Sequence, residues 1–340
     1  MNTNINNILT IKDLEIGYTS GKSKKALLPP LNAVAGKGEL IAIIGRNGIG
    51  KSTLLRTLTG LQPGLAGSIF YYGKDINEYS RIDLAREVGY ISTEIVKVSN
   101  MRVYDLVALG RFPHTNWIGK IEPGDDKIIK DALEKTSMSE FCNKYVSELS
   151  DGERQKVMIS RILAQDIGIM IMDEPTAFLD IGSKYEILHL LHQLSRQNQK
   201  TIIFSTHDLQ MAVSQADKIW LILDNHLLEG APEDLILSGA FDHLFDSSPV
   251  KFNTENGTFT FRGEERGSYY IEGEGIIRHW TEEAVKRSGF GISDVKTLPY
   301  IKTSAESINK WQFVSASESS GFDSIHKLIL HLTSQQESPS

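Results

Sequence analysis

Residues 41–53, IAIIGRNGIGKST, constrain the fold more than any other stretch of the chain. A short apolar run ends in a glycine-rich turn, and a lysine and a hydroxyl residue follow it directly. The spacing of Gly45, four residues, and then Gly50, Lys51 and Ser52 is typical of a phosphate-binding loop between a buried strand and a helix. The glycines let backbone N–H groups approach phosphate oxygens, and the helix N-terminus adds partial positive charge. We therefore predict a strand, a loop and a helix that together bind a triphosphate.

Two further strands are predicted to end in polar side chains that suit phosphate chemistry. Ile169–Met172 is a short apolar run, and Asp173 and Glu174 follow it. In a phosphate-loop protein the first acid holds Mg²⁺ through water, and the second orients or deprotonates the attacking water. Thr201–Ser205 is a β-branched run that leads to His207. A histidine in this position lies where ligands bind an α/β sheet, but a lone histidine is usually a structural residue.

The segment LSDGERQ, residues 149–155, predicts the start of a helix. Ser150 is a natural N-cap, and Glu153 stands three residues further on, where its carboxylate completes a capping box. Taken alone, this segment indicates a capped helix and no more, because capping boxes are common.

Composition limits the partners and the chemistry. The net charge of −7 offers no broad positive surface for nucleic acid, so nucleic-acid binding is not expected. Cys142 is the only cysteine, which excludes a disulfide or a cysteine-based zinc site within the chain. No apolar run approaches the length of a bilayer-spanning helix, so we expect a soluble chain that serves a membrane only through a partner.

Strands alternate with helical patterns over the first 245 residues, which favours an α/β fold with a mostly parallel, helix-covered sheet. Ile8–Tyr18 is predicted to be an early strand. Tyr18 is either an ordinary half-buried strand aromatic or a ring that stacks on adenine. From Arg102 to Glu148 the apolar residues follow helical spacing, so a helical subdomain is expected at about residues 95–155.

Residues 246–332 are predicted to form a small α+β extension, and residues 333–340 a disordered tail. Thr281, with two glutamates after it, is expected to start a short helix. The other predicted elements are the hairpin Val250–Phe261, the strands Tyr269–Ile271 and Trp311–Val314, and a final amphipathic helix through Ile325, Leu328, Ile329 and Leu332.

Taken in order, these segments resemble the nucleotide-binding subunit of ABC transporters. The resemblance covers about the first 245 residues and rests on Tyr18, GRNGIGKST, LSDGERQ, IMIMDEPT, Leu179 with Asp180, and His207. In that family the loop is the Walker A motif, IMIMDE the Walker B strand and LSDGERQ the signature. The resemblance implies a P-loop NTPase of ABC type, with a mostly parallel sheet, an antiparallel β-subdomain and a helical insert. It also implies a head-to-tail homodimer, in which each ATP lies between the Walker A loop of one subunit and the signature of the other.

The resemblance assigns roles to individual residues. Glu174 matches the catalytic base, and His207 matches the switch histidine that contacts the γ-phosphate. Ser52 and Asp173 match the residues that hold Mg²⁺, and Asp180 belongs to the loop that joins the two active sites. The matched ATP-binding positions are Tyr18, Gly45, Arg46, Asn47, Gly48, Ile49, Gly50, Lys51, Ser52 and Thr53. The matched signature positions, which touch the ATP of the opposite subunit, are Ser150, Asp151, Gly152 and Glu153.

The sequence departs from the family pattern at two places. Asp151 stands where a glycine is most usual and Glu153 where a glutamine is common, which puts negative charge near a phosphate. The glutamine that the family carries after VGYI is absent, because residues 92–94 read Ser-Thr-Glu. Thr93 or Glu94 is the predicted substitute as a ligand of Mg²⁺ or water.

Within the family, residues 103–117, VYDLVALGRFPHTNW, together with LSDGERQ and STHD, are most similar to the ATPases of iron-siderophore, haem or cobalamin importers. This implies a membrane permease that docks on the insert near residues 94–117, a substrate-binding protein, and a location at the cytoplasmic face of the inner membrane. Phe112, Pro113 and Trp117 either contribute to that docking surface or pack locally.

Two other functions are compatible with these residues. A soluble ABC ATPase acting on nucleic acid or ribosomes is disfavoured by the single cassette, the acidic charge and the lack of a long coiled-coil insert. A non-hydrolysing, nucleotide-dependent regulatory module is suggested by the missing glutamine and by Asp151. The extension is either a regulatory or dimer-stabilising module or a passive appendage, and the sequence does not name the cargo.

Overall fold

The computed structural model divides into two compact units. One lies within Met1–Asp246 and Phe252–Phe259, and the other within Ser247–Lys251 and Thr260–Ser340. The structure describes residues 7–21, 23–93, 100–115, 121–245, 250–253, 257–261, 266–304 and 310–335. Within these ranges, none of the helices has the length and apolar character needed to cross a membrane.

The strands and helices are numbered in chain order. The first twelve strands are β1 (Asn7–Glu15), β2 (Gly17–Ser20), β3 (Ser23–Ala26), β4 (Leu31–Gly36), β5 (Leu40–Gly45), β6 (Ala66–Tyr71), β7 (Lys74–Asp75), β8 (Val88–Ile91), β9 (Ile169–Met172), β10 (Thr201–Ser205), β11 (Lys218–Ile222) and β12 (Leu227–Gly230). The first eight helices are α1 (Lys51–Leu58), α2 (Arg81–Leu84), α3 (Val103–Ala108), α4 (Pro123–Lys135), α5 (Asp151–Ala164), α6 (Ile181–Asn198), α7 (Leu209–Gln215) and α8 (Pro232–Leu237). Short 3-10 helices cover Ile76–Glu78, Leu109–His114, Ser139–Phe141, Val146–Glu148 and Ala240–Phe245.

A six-stranded sheet with the order β12-β11-β5-β10-β9-β8 forms the centre of the first unit. β12 runs antiparallel to β11, and the other neighbouring strands are parallel. Along β5, Leu40, Ala42 and Ile44 join one buried cluster, whereas Ile41 and Ile43 join another. Both faces of the sheet are therefore buried, as an almost continuous apolar strand requires. The carboxyl ends of β5, β9 and β10 consequently meet at one edge of the sheet.

A second sheet of the first unit is antiparallel and has the order β4-β1-β6-β7. The predicted strand Ile8–Tyr18 is interrupted at Ile16, so Tyr18 belongs to the separate hairpin of β2 and β3. The helical insert is present as α3, α4 and α5, which pack against one another. The α/β fold, the antiparallel β-subdomain and the helical insert are confirmed.

The second unit is built around a five-stranded sheet. Its elements are β15 (Ser268–Glu272), α9 (Gly275–Arg287), β16 (Gly291–Ile292), β17 (Tyr300–Thr303), β18 (Trp311–Val314), β19 (Ser319–Phe322) and α10 (Ile325–Ser334). Earlier in the chain, β13 (Val250–Asn253) and β14 (Thr258–Phe261) form a two-stranded sheet, and each contains residues of both units. The strand order is β16-β15-β17-β18-β19, and a buried cluster that includes Ile271, Phe313 and Leu328 joins the sheet to the helices. The predicted α+β character of the extension is confirmed.

Two predictions about the extension need correction. Thr281 does not start a helix, because α9 begins at Gly275 and Thr281 lies fully buried in its middle. Its hydroxyl donates to the carbonyl oxygen of Ile277 at 2.6 Å and accepts a hydrogen bond from Nε1 of Trp311 at 2.8 Å. The predicted tail from residue 333 onwards is also too long, since α10 continues to Ser334.

Candidate active site

The loop between β5 and α1 takes a conformation that depends on its glycines. Gly48 and Gly50 have φ angles of +78° and +114°, in a region that residues with a side chain rarely adopt. α1 begins at Lys51, directly after Gly50, and its first turn contains no acidic residue. Because Gly50 has no side chain with which to cap the helix, the first N–H groups of α1 suit an anion, and phosphate fits such a terminus.

Lys51 lies across this loop and close to the predicted acids. Its side chain is buried, and Nζ donates to the carbonyl oxygens of Gly45 at 2.8 Å and Arg46 at 3.3 Å. Burial lowers the pKa of Lys51, and the negative charges of Glu174 and Asp173 oppose that shift. The loop lysine and the acidic pair are therefore within electrostatic reach of one another.

Two other residues that are predicted to contact ATP, Tyr18 and Arg46, each make polar contacts within the chain. The hydroxyl of Tyr18 lies 3.0 Å from Oγ1 of Thr53, and the residue is 54% exposed. Tyr18 thus presents an accessible ring beside the first turn of α1. The guanidinium of Arg46 instead donates to the carbonyl oxygen of Leu244 at 3.2 Å and pairs with Asp224 at 3.1 Å. These bonds tie the loop to the closing part of the first unit.

Asp173 and Glu174 follow β9 and are held by hydroxyl groups from two other segments. Oδ1 of Asp173 accepts a hydrogen bond from Oγ of Ser205 at 2.7 Å, and Thr93 Oγ1 donates to the carbonyl oxygen of Asp173 at 3.1 Å. Glu174 has a φ of +48°, and its backbone N–H donates to the same Ser205 oxygen at 2.9 Å. Thr93 therefore reaches the backbone of the acidic pair, whereas Glu94, the alternative substitute, lies outside the described residues.

His207 stands beside the predicted base. Its Nδ1 lies 3.3 Å from Oε2 of Glu174, and 60% of its side chain is exposed. This exposure leaves the ring accessible to a ligand, as the predicted contact with a γ-phosphate requires. The imidazole can orient the carboxylate of Glu174 and still face a ligand.

The signature segment forms the predicted capping box at the start of α5. The Glu153 N–H donates to Oγ of Ser150 at 3.3 Å, and the Glu153 carboxylate accepts from the Ser150 N–H at 2.8 Å and hydroxyl at 2.9 Å. These bonds from Ser150 lower the pKa of Glu153. The carboxylate of Asp151 pairs with Arg154 at 2.7 Å. Both unusual acids of the signature are thus engaged within their own helix turn.

The start of α5 packs closely against the start of α6. Gly152 is buried, and a Cβ placed on it would lie 2.8 Å from Oγ of Ser183. Ser183 in turn donates through its N–H and its hydroxyl to the carboxylate of Asp180, at 3.0 and 2.7 Å. These bonds lower the pKa of Asp180. Through Ser183 the structure therefore connects the signature with the predicted dimer loop.

One cleft brings together positions that are far apart in the sequence. Thr93, Asp151 and Glu174 line it together with Arg154 and Phe178. Thr93, the signature and the predicted base Glu174 therefore border a common space.

The residues at the loop fit a magnesium ion by their chemistry. Ser52 offers a hydroxyl in the first turn of α1, and Asp173 offers a carboxylate that is 5% exposed. Mg²⁺ prefers such oxygen donors and usually keeps water and substrate phosphates as its other ligands. The described residues contain no group of three His, Cys, Asp or Glu side chains placed to bind a metal alone. A metal site shared with a bound nucleotide is the arrangement that these donors suit.

Ser205 is the residue that the sequence analysis missed. It closes the β-branched run of β10, and its hydroxyl is the one polar side-chain group after three apolar residues. A polar residue at the end of an apolar strand could have indicated a site residue. The contacts of Ser205 with Glu174 and Asp173, however, join residues that are 31 and 32 positions apart in the sequence.

Comparisons with known proteins identify the family of this chain. The family described as ABC transporter matches residues 28–177, and the family described as iron ABC transporter C-terminal domain matches residues 266–333. An uncharacterized ABC transporter ATP-binding protein of Methanocaldococcus jannaschii is 34% identical over 256 residues, which cover 75% of this chain and 87% of that protein. The iron(3+)-hydroxamate import ATP-binding protein of Bacillus subtilis is 37% identical over 206 residues, which cover 61% of this chain and 75% of that protein.

A solved structure of an ABC transporter is also similar to this chain. A metal-chelate type ABC transporter in an inward-facing conformation matches with a TM-score of 0.62 and 26% identity, over 75% of this chain and 96% of that one. Similarity over these shares of both chains shows that this protein belongs to the ABC transporter family, as one of its ATP-binding, ATP-hydrolysing members.

Proposed function

We propose that this protein is the ATP-hydrolysing subunit of an importer for an iron-siderophore or a related haem or cobalamin-type substrate. The match of residues 266–333 to the iron ABC transporter C-terminal domain is the observation that carries the assignment. The B. subtilis relative is named for iron(3+)-hydroxamate import, and the solved relative is of the metal-chelate type. An iron-siderophore is therefore the first substrate to test.

ATP binding is assigned to the loop between β5 and α1. The N–H groups of the loop and of the first turn of α1 surround the phosphates, and Lys51 leaves the carbonyl oxygens of the loop to meet the β- and γ-phosphates. The exposed ring of Tyr18 stacks on adenine. Ser52 and Asp173 hold Mg²⁺, which neutralises charge that develops on the phosphate oxygens.

Hydrolysis is assigned to Glu174 and His207. A water oxygen attacks the γ-phosphorus, the bond to the β–γ bridging oxygen breaks, and Glu174 takes the proton of the water. His207, 3.3 Å from the Glu174 carboxylate, keeps that carboxylate in position and contacts the γ-phosphate. ADP and inorganic phosphate leave.

A second copy of the chain is proposed to complete each ATP site. Ser150 and Asp151 of the signature are exposed and thus available to a nucleotide on another subunit. Phe178 and Ile181, on either side of Asp180, are 79% and 75% exposed. Apolar side chains of this exposure next to the dimer loop fit burial in a head-to-tail homodimer.

A surface groove in the first unit is proposed to receive the permease. Leu61, Leu84, Leu109, Phe112 and Pro113 supply apolar lining, and Phe112 is 73% exposed. The groove also contains Arg161, whose buried Nε has no hydrogen-bond partner within the described part of the chain. An amphipathic segment of a permease fits such a mixed lining, and it would hold this protein at the cytoplasmic face of the membrane, whereas the substrate-binding protein would meet the permease from the opposite face.

We expect Phe112→Glu to abolish coupling, because a buried charge at the permease contact is unfavourable. We expect the same of Trp117→Glu, although Trp117 lies outside the described residues. Iron-siderophore uptake by proteoliposomes that contain the permease should be lost, whereas basal ATP hydrolysis should stay close to that of the wild type. Leu237→Glu, at an 85% exposed position of α8, is the matched control and should leave both activities intact. Equal loss of uptake and hydrolysis in the Phe112 or Trp117 variant would instead indicate misfolding and contradict the docking assignment.

The double variant Thr93→Ala, Glu94→Ala tests the substitute for the missing glutamine. Thr93 supports the backbone of Asp173 at 3.1 Å, and its loss should loosen the metal-binding acid. We expect the Mg²⁺ concentration for half-maximal ATPase activity to rise about tenfold, the usual effect of removing an outer hydrogen bond from a metal site. Unchanged turnover and Mg²⁺ dependence would show that neither residue replaces the glutamine.

The transport assignment is tested by isolating this chain from detergent-solubilised membranes and identifying the hydrophobic subunit that accompanies it. The complex is then reconstituted and supplied with labelled ferric siderophore, haem or cobalamin. ATP-dependent uptake of one of them supports the proposal. A chain that hydrolyses ATP but purifies with ribosomes or nucleic acid, and without a permease, would overturn it.

A further inference from the structure

Ser205 makes two hydrogen bonds that no predicted role explains. It is the last residue of β10 and is fully buried. Its hydroxyl donates to Oδ1 of Asp173 at 2.7 Å and accepts the backbone N–H of Glu174 at 2.9 Å. One oxygen atom therefore bonds to the side chain of the metal-binding acid and to the backbone of the adjacent base.

The bond to Glu174 acts where the backbone is unfavourable. With a φ of +48°, Glu174 occupies a left-handed conformation that residues with a side chain adopt only when their surroundings enforce it. The N–H···Oγ bond from β10 is one such constraint, and the bond from the Ala177 N–H to the Glu174 carbonyl oxygen, at 3.0 Å, is another. The direction of the Glu174 side chain toward His207 depends on this turn.

The bond to Asp173 selects the orientation of a carboxylate. Because Oδ1 accepts the Ser205 hydroxyl proton, rotation of the carboxyl group would break a buried hydrogen bond. A metal-binding carboxylate is commonly oriented by a partner of this kind. The hydroxyl of Ser205, at the end of the neighbouring strand β10, thus holds both the acid assigned to metal binding and the acid assigned to proton acceptance.

We propose that Ser205 is a positioning residue for ATP hydrolysis, which fixes the carboxylate of Asp173 and the backbone of Glu174 together. The inference rests on the proposed function, since it assumes that this acidic pair serves ATP hydrolysis. A hydroxyl at residue 205 fixes the position of the two acids relative to the nucleotide loop, because β10 lies between β5 and β9 in the sheet. Ser205 acts through these two residues, because its fully buried hydroxyl is hydrogen-bonded to both of them.

The test compares Ser205→Ala and Ser205→Thr with Ser195→Ala. Ser195 is also fully buried, but its hydroxyl donates to the carbonyl oxygen of His192 at 3.0 Å within α6, so the control removes the same atom elsewhere. Four quantities are measured for each variant: kcat, KM for ATP, the Mg²⁺ dependence of hydrolysis, and the affinity for a fluorescent ATP analogue without Mg²⁺. The unfolding temperature is recorded alongside.

We expect Ser205→Ala to lower kcat about 10- to 100-fold and to raise the Mg²⁺ requirement, with little change in Mg²⁺-free nucleotide affinity. Ser205→Thr, which keeps the hydroxyl, should recover most of the lost kcat, and Ser195→Ala should resemble the wild type in all kinetic quantities. Wild-type kcat and Mg²⁺ dependence in Ser205→Ala would overturn the inference. So would a loss of Mg²⁺-free nucleotide affinity in step with the unfolding temperature, because that pattern marks a purely structural residue. Absence of ATPase activity in the wild-type protein would instead contradict the proposed function itself.

Discussion

Glu174→Gln is expected to lower ATP hydrolysis by about 10²- to 10⁴-fold while ATP binding persists. The amide has nearly the shape of the carboxylate, so the hydrogen bond from the Glu174 N–H to Ser205 and the left-handed turn are retained. The amide cannot accept the proton of the attacking water. Steady-state phosphate release and equilibrium binding of a fluorescent ATP analogue separate the two effects.

Glu186→Gln is the matched control for this experiment. Glu186 is an exposed carboxylate on α6 that pairs with Lys156 at 2.6 Å, so its amide variant should hydrolyse ATP at the wild-type rate. Hydrolysis by Glu174→Gln at the wild-type rate would mean that another group activates the water. If the wild-type protein were equally inactive, the result would favour a non-hydrolysing regulatory module.

Lys51→Ala is expected to weaken ATP binding about 10- to 100-fold, since a hydrogen bond to a charged group contributes about 1.5–3 kcal/mol. The ammonium is buried at the loop, and no other lysine of the loop can replace it. The stabilisation that ATP gives to the wild type, measured as a shift in unfolding temperature, should fall in parallel. Hydrolysis at sub-saturating ATP should fall as well.

Lys130→Ala serves as the control, because Lys130 is an exposed lysine of α4 in an i,i+4 pair with Asp126. It should bind ATP with wild-type affinity. If Lys51→Ala bound and hydrolysed ATP as the wild type does, the loop between β5 and α1 would not be the nucleotide site. Unfolding temperatures without nucleotide show whether either variant has lost its fold.

Much of the nucleotide-binding half of the fold could be predicted because its signals are local. The glycines of the loop, the apolar run of β9 and the capping box of Ser150 and Glu153 each act over a few residues. α8 begins at Pro232 for an equally local reason, because proline is favourable in a first helical turn.

The extension was harder to predict because tertiary contacts override its local pattern. Thr281 followed by two acids has the composition of a helix start, but a hydrogen bond from Trp311, thirty residues away, buries its hydroxyl inside α9. The edge strand β19, with the sequence SSGF, has no strong alternation and was not predicted. Its position is determined by pairing with β18.

The candidate active site also combines residues that local patterns predict with contacts that depend on the folded sheet. Lys51, Glu174 and His207 were found from their places after strands. The role of Ser205 required the neighbour relation between β9 and β10, which the sequence does not state. Thr93 was named as a ligand, but its contact with the Asp173 carbonyl oxygen became visible only with the sheet assembled.

The capping box of the signature would influence how an ATP site closes in the proposed homodimer. The Ser150 hydroxyl already donates to the Glu153 carboxylate at 2.9 Å, so the γ-phosphate proposed to reach Ser150 would compete with that carboxylate for the same hydroxyl. Glutamine at that position would repel the phosphate less. In the proposed homodimer, Glu153 would therefore favour the open arrangement of the two subunits, and closure would require a nucleotide that displaces its carboxylate from Ser150.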